Sequence, residues 1–531
     1  MRILLAEISH RRRLRAALLG GLFALFYLAS RQPAMRGDGY VFVQLLGQKE
    51  YAHAHLLYLP IVGALQSLLQ IFFELRPETV LQILSALCGG AVVGLTSLLA
   101  NEFFEKPAHS TAAALLCGCL AGTWFHATAT ELHTFHAAFA TAALIVAVRW
   151  IRLGDVSRET ATGLFFCPLL LAGSHLSGIS GVAAITLGLI RSRRRLIPAI
   201  MIAGGVATYT LANLAVRSYS PSLSGYNQVV QEGWLAPTLE DPGRIWILIR
   251  QAAIEAVLYS MPASILALAG LREIYKVDRL LAWMLGLWVL GYTAIALPIG
   301  DPFFGSYWVP TFPVVAILAV KATESWSARS IGALAAMGCS TISALLVRDG
   351  AYSSALSVAG GALLFMACHH NKRRISGNST WLPATALCVS ILTMPQVIFA
   401  RAPWQDAAIR PRLEEFVQSQ PPDAAYLVVE SDPISAAAWH STLASLRPGN
   451  FYCLASIDYE RPDVAQRIAA AILERIRRGW ETRRPVILIG DASKFGANAS
   501  SSLLLAKVNH SFLWETRVAP LGEFRVLNGF R

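Results

Sequence analysis

The sequence predicts a polytopic α-helical membrane protein of about 13 transmembrane helices, followed by a small soluble α/β domain. The composition is 55% hydrophobic and only 15% charged, whereas soluble proteins usually carry about a quarter charged residues. Apolar runs of roughly 17 to 22 residues recur from Leu14 to Ala400, and each is long enough to cross a bilayer. The remaining chain, Arg401 to Arg531, is richer in charge, so we expect two domains, 1–400 and 401–531.

The net charge of +12 follows from membrane topology rather than from nucleic-acid binding. Basic residues cluster in short loops between apolar runs, at Arg11–Arg15, Arg191–Arg195 and Lys372–Arg374. Cytoplasmic loops of membrane proteins carry such an excess of Lys and Arg. With these loops inside, we expect a cytoplasmic N-terminus and a C-terminal domain on the periplasmic side of a bacterial inner membrane.

The cysteines predict neither a disulfide framework nor a metal knuckle. Of the 8 cysteines, only Cys453 lies in the predicted soluble domain, and no CxxC pair is present. Cysteines within apolar segments usually act as small buried hydrophobic residues.

The early apolar segments cannot all cross the membrane. Leu14–Ser30 is interpreted as a retained first span, since no small-residue cleavage site follows it. Leu56–Phe73, Thr79–Ala100 and Thr111–Phe125 then lie between two positions that are both expected outside. Only two of these three stretches can therefore cross, and the third is a juxtamembrane or re-entrant element. The residue pattern does not indicate which one fails to cross.

Short β-branched runs in the tail predict a partly parallel sheet. Ala424–Val429 and Pro485–Ile489 are the predicted strands, and Pro462–Trp480 between them has helical periodicity. Acids that follow the strands, such as Glu430 and Asp491, stand where ligands of such sheets bind. They are equally typical of turn and helix-cap residues.

Polar residues gather at the predicted outer face of the membrane domain. They are Asp38, Glu50, His53, His55, His126, Glu131, His133, His136, His175 and Asp301, and they include six of the 12 histidines. Asp38 lies between Gly37 and Gly39, where a substrate could approach the backbone closely. An acid in this position favours a general base, although Asp beside Gly is also a common turn.

The histidine spacings do not specify a metal site. Glu131, His133 and His136 form Glu-x-His-x-x-His, which differs from the i, i+4 histidine pair of zinc proteases. This segment could orient a phosphate, or its side chains could extend to water at the interface. His53 and His55 alternate, so one of them is more easily placed in a shared site than both. We expect no required metal, although a divalent cation is compatible with so many histidines.

Several segments together resemble the GT-C polytopic glycosyltransferases. The Gly-Asp of the first outer loop is followed by His55-Leu56-Leu57-Tyr58-Leu59-Pro60, then by Trp124–Glu131 and by Gly173-Ser174-His175. The likeness is to the bacterial branch similar to protein O-mannosyltransferases and to relatives of the lipid A aminoarabinose transferase. The resemblance implies Asp38 as the catalytic base, Glu131 as a second acid near the site, and a sugar donor linked to polyprenyl phosphate.

Two departures from the family pattern affect the expected binding residues. Asp38 has no paired acid until Glu50, and Tyr307 in a late outer loop lacks the preceding Arg that contacts the lipid phosphate in many relatives. Phosphate binding is therefore assigned to residues other than Tyr307 as well. The predicted substrate-binding set is His53, His55, His133, His136, His175, Arg217, Arg244 and Tyr307.

The sequence thus predicts a membrane glycosyltransferase that moves a sugar from a polyprenyl-phosphate donor to a lipid, glycan or protein acceptor outside the membrane. We expect the C-terminal domain to cover the outer mouth of the site and to help choose the acceptor. The alternative is a non-enzymatic carrier or assembly partner for lipid-linked glycans. Such carriers are often built from inverted repeats, and the chain has no convincing repeat.

Overall fold

The computed structural model is mostly helical, with a sheet near the C-terminus. The residues that it describes are 2–32, 39, 42–43, 46, 55–153, 157–190, 196–219, 243, 245–247, 249–250, 260, 263–299, 306–325, 405–428, 439, 442–443, 446–447, 451–453, 477, 481–489, 512–519 and 522–530. The predicted spans Ile331–Val347, Ser353–Cys368 and Leu382–Ala400 lie outside these residues, as does most of the predicted helix Pro462–Trp480.

Helices make up most of the described chain. In chain order they are α1 Arg2–Ala29, α2 Tyr58–Leu69, α3 Pro77–Ala100, α4 Pro107–Cys119, α5 Ala121–Thr128, α6 His133–Leu153, α7 Arg158–Ser174, α8 Gly178–Ile190, α9 Leu196–Tyr219, α10 Ala263–Val277, α11 Arg279–Ile299, a 3₁₀ helix Ser306–Thr311, α12 Phe312–Ser325 and α13 Gln405–Ser419. Five segments in the described part of the chain are long and apolar enough to cross a membrane: Pro77–Ala100, His133–Arg152, Leu196–Ala215, Arg279–Ala296 and Ser306–Glu324.

Helices α1 and α3 pack closely because small residues face each other. A Cβ added to Gly20 would lie 2.9 Å from the Gly90 carbonyl oxygen, and one added to Gly94 would lie 2.8 Å from the Ala16 carbonyl oxygen. Small residues allow two helix backbones to approach in this way inside a membrane. The opposite side of α1 exposes a leucine stripe, which suits contact with lipid: Leu14, Leu18, Leu22 and Leu25.

The structure shows how the early apolar stretches are divided into helices. Helix α2 has 12 residues, so it is roughly 18 Å long, well short of the ~30 Å hydrocarbon core. The chain just after it exposes Ile71, Phe72 and Phe73. The third stretch is also not one continuous helix, since Leu120 takes extended backbone angles (φ −60°, ψ 133°) between α4 and α5. Helix α2 is thus too short to cross the membrane as a single helix, and so are α4 and α5 taken separately.

Polar contacts define two ends of the helical bundle. At one end, Arg15 donates to Asn101 at 2.8 Å and Arg149 donates to Glu102 at 2.9 Å. We call this the basic end. At the opposite end, which we call the site end, Gln82 donates to the Gln32 carbonyl at 2.8 Å. Arg15, which was predicted to be cytoplasmic, and Arg149 therefore lie together at one end of the bundle.

The C-terminal residues form a five-stranded mixed sheet in the order β2-β1-β3-β5-β4. The strands are β1 Ala425–Val428, β2 Phe451–Cys453, β3 Val486–Ile489, β4 Phe512–Ala519 and β5 Gly522–Phe530. Strands β1 and β3 pair in parallel, which confirms the two strands and the parallel pairing predicted from the sequence. The antiparallel β4–β5 pair was not predicted.

Helix α13 and the sheet share a hydrophobic core with the site end of the bundle. Leu413 and Phe416 of α13 and Tyr426 of β1 belong to the same buried cluster as Leu81 of α3 and Phe135 of α6. Arg410 of α13 also forms an ion pair with Glu78 in the first turn of α3, at 2.8 Å. The C-terminal unit therefore packs on the end of the bundle where the histidines lie.

Candidate functional site

Seven aromatic and imidazole rings meet at the site end, and we call them the ring cluster. Its members are His55, His126, His133, His136, His175, Tyr292 and Tyr307. They come from the turn before α2, the end of α5, the start of α6, the α7–α8 turn, α11 and the 3₁₀ helix. Residues up to about 250 positions apart therefore converge because helix ends meet at one level of the bundle.

His175 is the centre of the cluster. Its ring stacks on His55 at 5.1 Å with an interplanar angle of 19°. Its centroid also lies 5.7 Å from that of His133, 5.4 Å from that of His136 and 5.3 Å from that of Tyr307. The turn that carries His175 separates α7 from α8, so the side chain enters the bundle from its end.

The hydrogen bonds around His136 identify its tautomer. The Ser174 hydroxyl has one proton, which it donates to the Leu171 carbonyl at 3.0 Å. The 2.7 Å contact between His136 Nδ1 and Ser174 Oγ is therefore an N–H donated by the histidine. His136 Nε2 is then an acceptor, and the Tyr292 hydroxyl lies 3.1 Å from it. Because both ring nitrogens have protein partners, His136 is suited to holding α6, α7 and α11 together.

His175 has the opposite tautomer in its neutral form. The backbone N–H of Ser177 can only donate, and it lies 3.1 Å from His175 Nδ1. The Ser177 hydroxyl lies 2.6 Å from the same nitrogen. The ring proton is consequently on Nε2, which provides an N–H donor within the ring cluster.

Glu131 brings a carboxylate to the cluster. It lies two residues before α6, near the positive end of the helix dipole, and only 4% of its surface is exposed. Its Oε2 lies 3.7 Å from His133 Nε2. Its backbone carbonyl accepts a hydrogen bond from the Ser85 hydroxyl at 2.7 Å. A buried carboxylate beside an imidazole suits proton transfer or the orientation of a hydroxyl group.

The segment that leads to Asp38 begins against the same site. Gln32 donates its side-chain amide to the Phe125 carbonyl at 2.9 Å and its backbone N–H to the Thr128 carbonyl at 3.1 Å. Gly39 packs on Thr130, where an added Cβ would lie 2.8 Å from the carbonyl oxygen. Its missing side chain is therefore required for this close approach. Asp38 itself lies outside the described residues.

The structure brings six of the predicted site residues together: Glu131, His55, His133, His136, His175 and Tyr307. Asp38, His53 and Arg244, like the outer-face acids Glu50 and Asp301, lie outside the described residues, and Arg217 is described only as part of helix α9. The functional roles of these residues remain predictions.

Several residues that complete the cluster were not predicted from the sequence. His126 was grouped at the outer face but not assigned to the site, and its ring lies 4.9 Å from that of His133. Tyr292, Ser174 and Ser177 hold the histidines, although none was predicted to do so. A hydroxyl-bearing Tyr292 within an apolar span was a usable signal, because such a group needs a partner in the membrane.

The His, Cys, Asp and Glu side chains in the described part of the chain do not form a metal centre. No group of three or more His, Cys, Asp or Glu side chains there is arranged to hold an ion. The imidazoles instead face one another as rings, or bond to serine and tyrosine hydroxyls. Such a cluster supplies N–H and O–H donors with one carboxylate, which suits a ligand with hydroxyl groups or an anionic group.

Comparisons with solved structures show which known proteins share this fold. The aminoarabinose transferase ArnT from Cupriavidus metallidurans is similar in its apo state, with a TM-score of 0.62, 14% identity, and 96% of this chain and 97% of ArnT covered. ArnT bound to undecaprenyl phosphate gives a TM-score of 0.60, 15% identity and 97% of each chain covered.

A more distant likeness is to the oligosaccharyltransferase of Archaeoglobus fulgidus in the apo form. The TM-score is 0.50 and the identity is 12%, with 98% of this chain and 74% of that chain covered. No family model and no curated sequence matches this chain. The resemblance to GT-C glycosyltransferases that the sequence predicted is confirmed at the level of the fold.

Proposed function

We propose that this protein is a membrane glycosyltransferase that moves a sugar from a polyprenyl-phosphate donor to a lipid, glycan or protein acceptor. The observation that carries the proposal is a buried carboxylate, Glu131, among histidines at the site end of a GT-C fold. A structural neighbour with a TM-score of 0.60 binds undecaprenyl phosphate, which supports a lipid-phosphate donor.

In the proposed reaction, Asp38 is the general base and takes the proton from the acceptor hydroxyl or amine. The acceptor atom then forms a bond to the anomeric carbon of the sugar, and the bond from that carbon to the phosphate oxygen breaks. Polyprenyl phosphate leaves with the electron pair of that bond. General base catalysis contributes about 10²- to 10⁴-fold in rate, and positioning of the reactants contributes the rest.

The ring cluster is proposed to bind the donor and to orient the acceptor. The Nε2 donor of His175, together with His133 and Tyr307, suits the oxygens of a phosphate or a sugar. Glu131 suits a hydroxyl group of the sugar or the acceptor. His53, Arg217 and Arg244 complete the proposed binding set, with the two arginines as phosphate ligands.

We also propose the topology expected from the sequence. It has about 13 spans with the N-terminus in the cytoplasm. The C-terminal domain 401–531 lies in the periplasm and covers the mouth of the site. The packing of α13 on the same end of the bundle as Glu131 supports this placement of the domain. A protein truncated after Arg401 tests the acceptor role, since it should retain donor hydrolysis but lose transfer. Unchanged acceptor preference in the truncated protein would remove that role.

No metal is required in this proposal. Treatment of the purified protein with a chelator should leave transfer unchanged. Loss of transfer that one added ion restores would show that a cofactor is needed.

The decisive experiment measures sugar transfer by the full-length protein in liposomes. The donors are undecaprenyl phosphates carrying radiolabelled sugars, and the substitution is Asp38→Asn. Transfer should fall by about 10²-fold or more, because the base is lost while the side-chain volume is kept. Near wild-type turnover would remove Asp38 from the mechanism, and lipid movement across the membrane without transfer would favour a carrier.

Asp278→Asn is the matched control. Asp278 Oδ1 accepts the backbone N–H of Leu281 at 3.0 Å in the first turn of α11, at the basic end. Asn is equally good as a helix cap, so this variant should transfer sugar at the wild-type rate.

A further inference from the structure

Helix α3 has a polar stripe at its site end, formed by Glu78, Gln82 and Ser85. These positions are i, i+4 and i+7, so they lie on one face of the helix. Their neighbours Val80, Leu81 and Leu84 are buried apolar residues. Polar side chains in a membrane helix are costly unless they are paired. Each member of the stripe is paired, and each has a different segment as its partner.

Gln82 holds the start of the segment that carries Asp38. Its side-chain amide donates to the Gln32 carbonyl at 2.8 Å. Gln32 in turn bonds the end of α5, through its side chain to Phe125 and through its backbone to Thr128. The chain thus leaves α1 at a position determined jointly by α3 and α5.

Ser85 holds the start of α6 through two bonds. Its hydroxyl donates to the Glu131 carbonyl at 2.7 Å, and its own carbonyl accepts from the Thr134 hydroxyl at 2.9 Å. Ser85 is 1% exposed, so water cannot replace these partners readily. The two bonds span Glu131 and the first turn of α6, which carries His133 and His136.

Glu78 holds the C-terminal unit. Both of its carboxylate oxygens lie 2.8 Å from Arg410 Nη2 of α13. The same arginine contacts Glu414 through Nε at 3.0 Å, and Glu414 also contacts Arg76. Helix α13 is therefore bound to α3 two turns from Ser85, on the same face of that helix.

We infer that Glu78, Gln82 and Ser85 are positioning residues that align three segments on one helix: the chain entering the Asp38 loop, the Glu131 segment and the C-terminal unit. Helix α3 suits this task because its glycines pack it tightly against α1 at its other end. The roles of Asp38 and Glu131 in this inference rest on the proposed function, whereas the alignment itself does not.

The test compares Ser85→Ala and Gln82→Met with Thr96→Val in the full-length protein. Thr96 is a buried hydroxyl on the same helix, and it donates to Val92 of its own helix at 2.7 Å. Hydrogen exchange provides a readout that does not depend on activity. The amide of Gln32 bonds Thr128, and the amide of His136 bonds Leu132.

Loss of one hydrogen bond should speed exchange about 3- to 10-fold at the segment that it holds. We expect this at His136 in Ser85→Ala, at Gln32 in Gln82→Met, and at neither amide in Thr96→Val. Thr134→Val removes one of the two Ser85 bonds without altering Ser85, so it should show a smaller change at His136. Exchange that is unchanged at both amides in the first two variants would overturn the inference.

Transfer kinetics separate this inference from the proposed function. In Ser85→Ala, kcat should fall about 10-fold while KM for the donor stays within about 2-fold, since a misaligned acid slows the reaction more than it weakens binding. Faster exchange in a protein that transfers no sugar in its wild-type form would uphold the alignment and reject the proposed function. Normal kcat in a variant with faster exchange would overturn the positioning role.

Discussion

The two ends of the bundle use polar side chains in different ways. At the basic end, cations meet acids and amides: Arg15 bonds Asn101, Arg149 bonds Glu102, and Lys321 bonds Glu324 at 2.6 Å. At the site end, the ion pair between Glu78 and Arg410 joins the C-terminal unit to the bundle. Beside it, imidazole rings meet other imidazoles, hydroxyl groups and the Glu131 carboxylate.

The contacts at the basic end pair each charged group with a protein partner. The contacts at the site end include donors that suit a ligand. An arginine paired with a glutamate at a membrane surface has its partner already, and it contributes mainly to topology and a little to stability. The ring cluster instead has a fixed tautomer at His136 and an N–H donor at His175. In the proposed function, the ligand therefore binds at the site end.

The sharpest test of this comparison substitutes one carboxylate at each end. Glu131→Gln should lower transfer about 10²-fold or more, because a group near the reacting atoms loses its charge. Glu102→Gln should leave transfer unchanged, since Glu102 contacts Arg149 at the basic end. Initial rates at saturating donor measure both. Equal losses in the two variants would contradict the distinction between the ends.

The next largest effect concerns the ion pairs between the bundle and the C-terminal unit. Arg410→Ala should lower the free energy of unfolding by about 3–5 kcal/mol, because it leaves the largely buried Glu78 without its ion-pair partner. Arg76→Ala removes a contact that is 46% exposed on the arginine side, so it should cost less than about 1 kcal/mol. Denaturant unfolding in detergent would compare them, and similar losses would show that the Glu78 pair is not special.

A smaller effect is expected inside the ring cluster. Tyr292→Phe removes the hydroxyl that donates to His136 Nε2 and should cost about 1–3 kcal/mol of unfolding free energy. Tyr275→Phe, on the exposed side of α10, is the control and should have no measurable effect. A stability equal to wild type in Tyr292→Phe would show that this hydrogen bond does not stabilise the fold.

The smallest effect belongs to the basic end. Arg149→Ala should change the unfolding free energy by about 0.2–1 kcal/mol, since the arginine is 44% exposed. Transfer should not change. A loss of transfer comparable to that of Glu131→Gln would show that the basic end takes part in function.

Much of the fold could be predicted from local patterns. The length of apolar runs predicted long apolar segments such as Thr79–Ala100, which is α3 almost unchanged. Short β-branched runs predicted β1 and β3 and their parallel pairing. The break at Leu120 was not predicted although Gly118 and Gly122 flank it, because glycines are also frequent within membrane helices.

The sequence predicted which residue types form the site, but not which residues they contact. Histidines near span ends indicated an outer cluster, and five of them do converge. The difference between His136 and His175 depends on Ser174, Ser177 and Tyr292. Tyr292 is 156 residues from His136, and no periodic pattern in a single sequence relates residues so far apart.

The sequence by itself determined the class of the protein, the spans it was long enough to form and the side on which the basic residues gather. These properties depend on hydrophobicity, length and charge, which are local quantities. Only the tertiary structure decided that the stretch around α2 forms a short helix, that Glu78, Gln82 and Ser85 each hold a different segment, and that α13 packs on the site end. These depend on which surfaces meet when the helices pack, and that is decided by contacts between residues far apart in the chain.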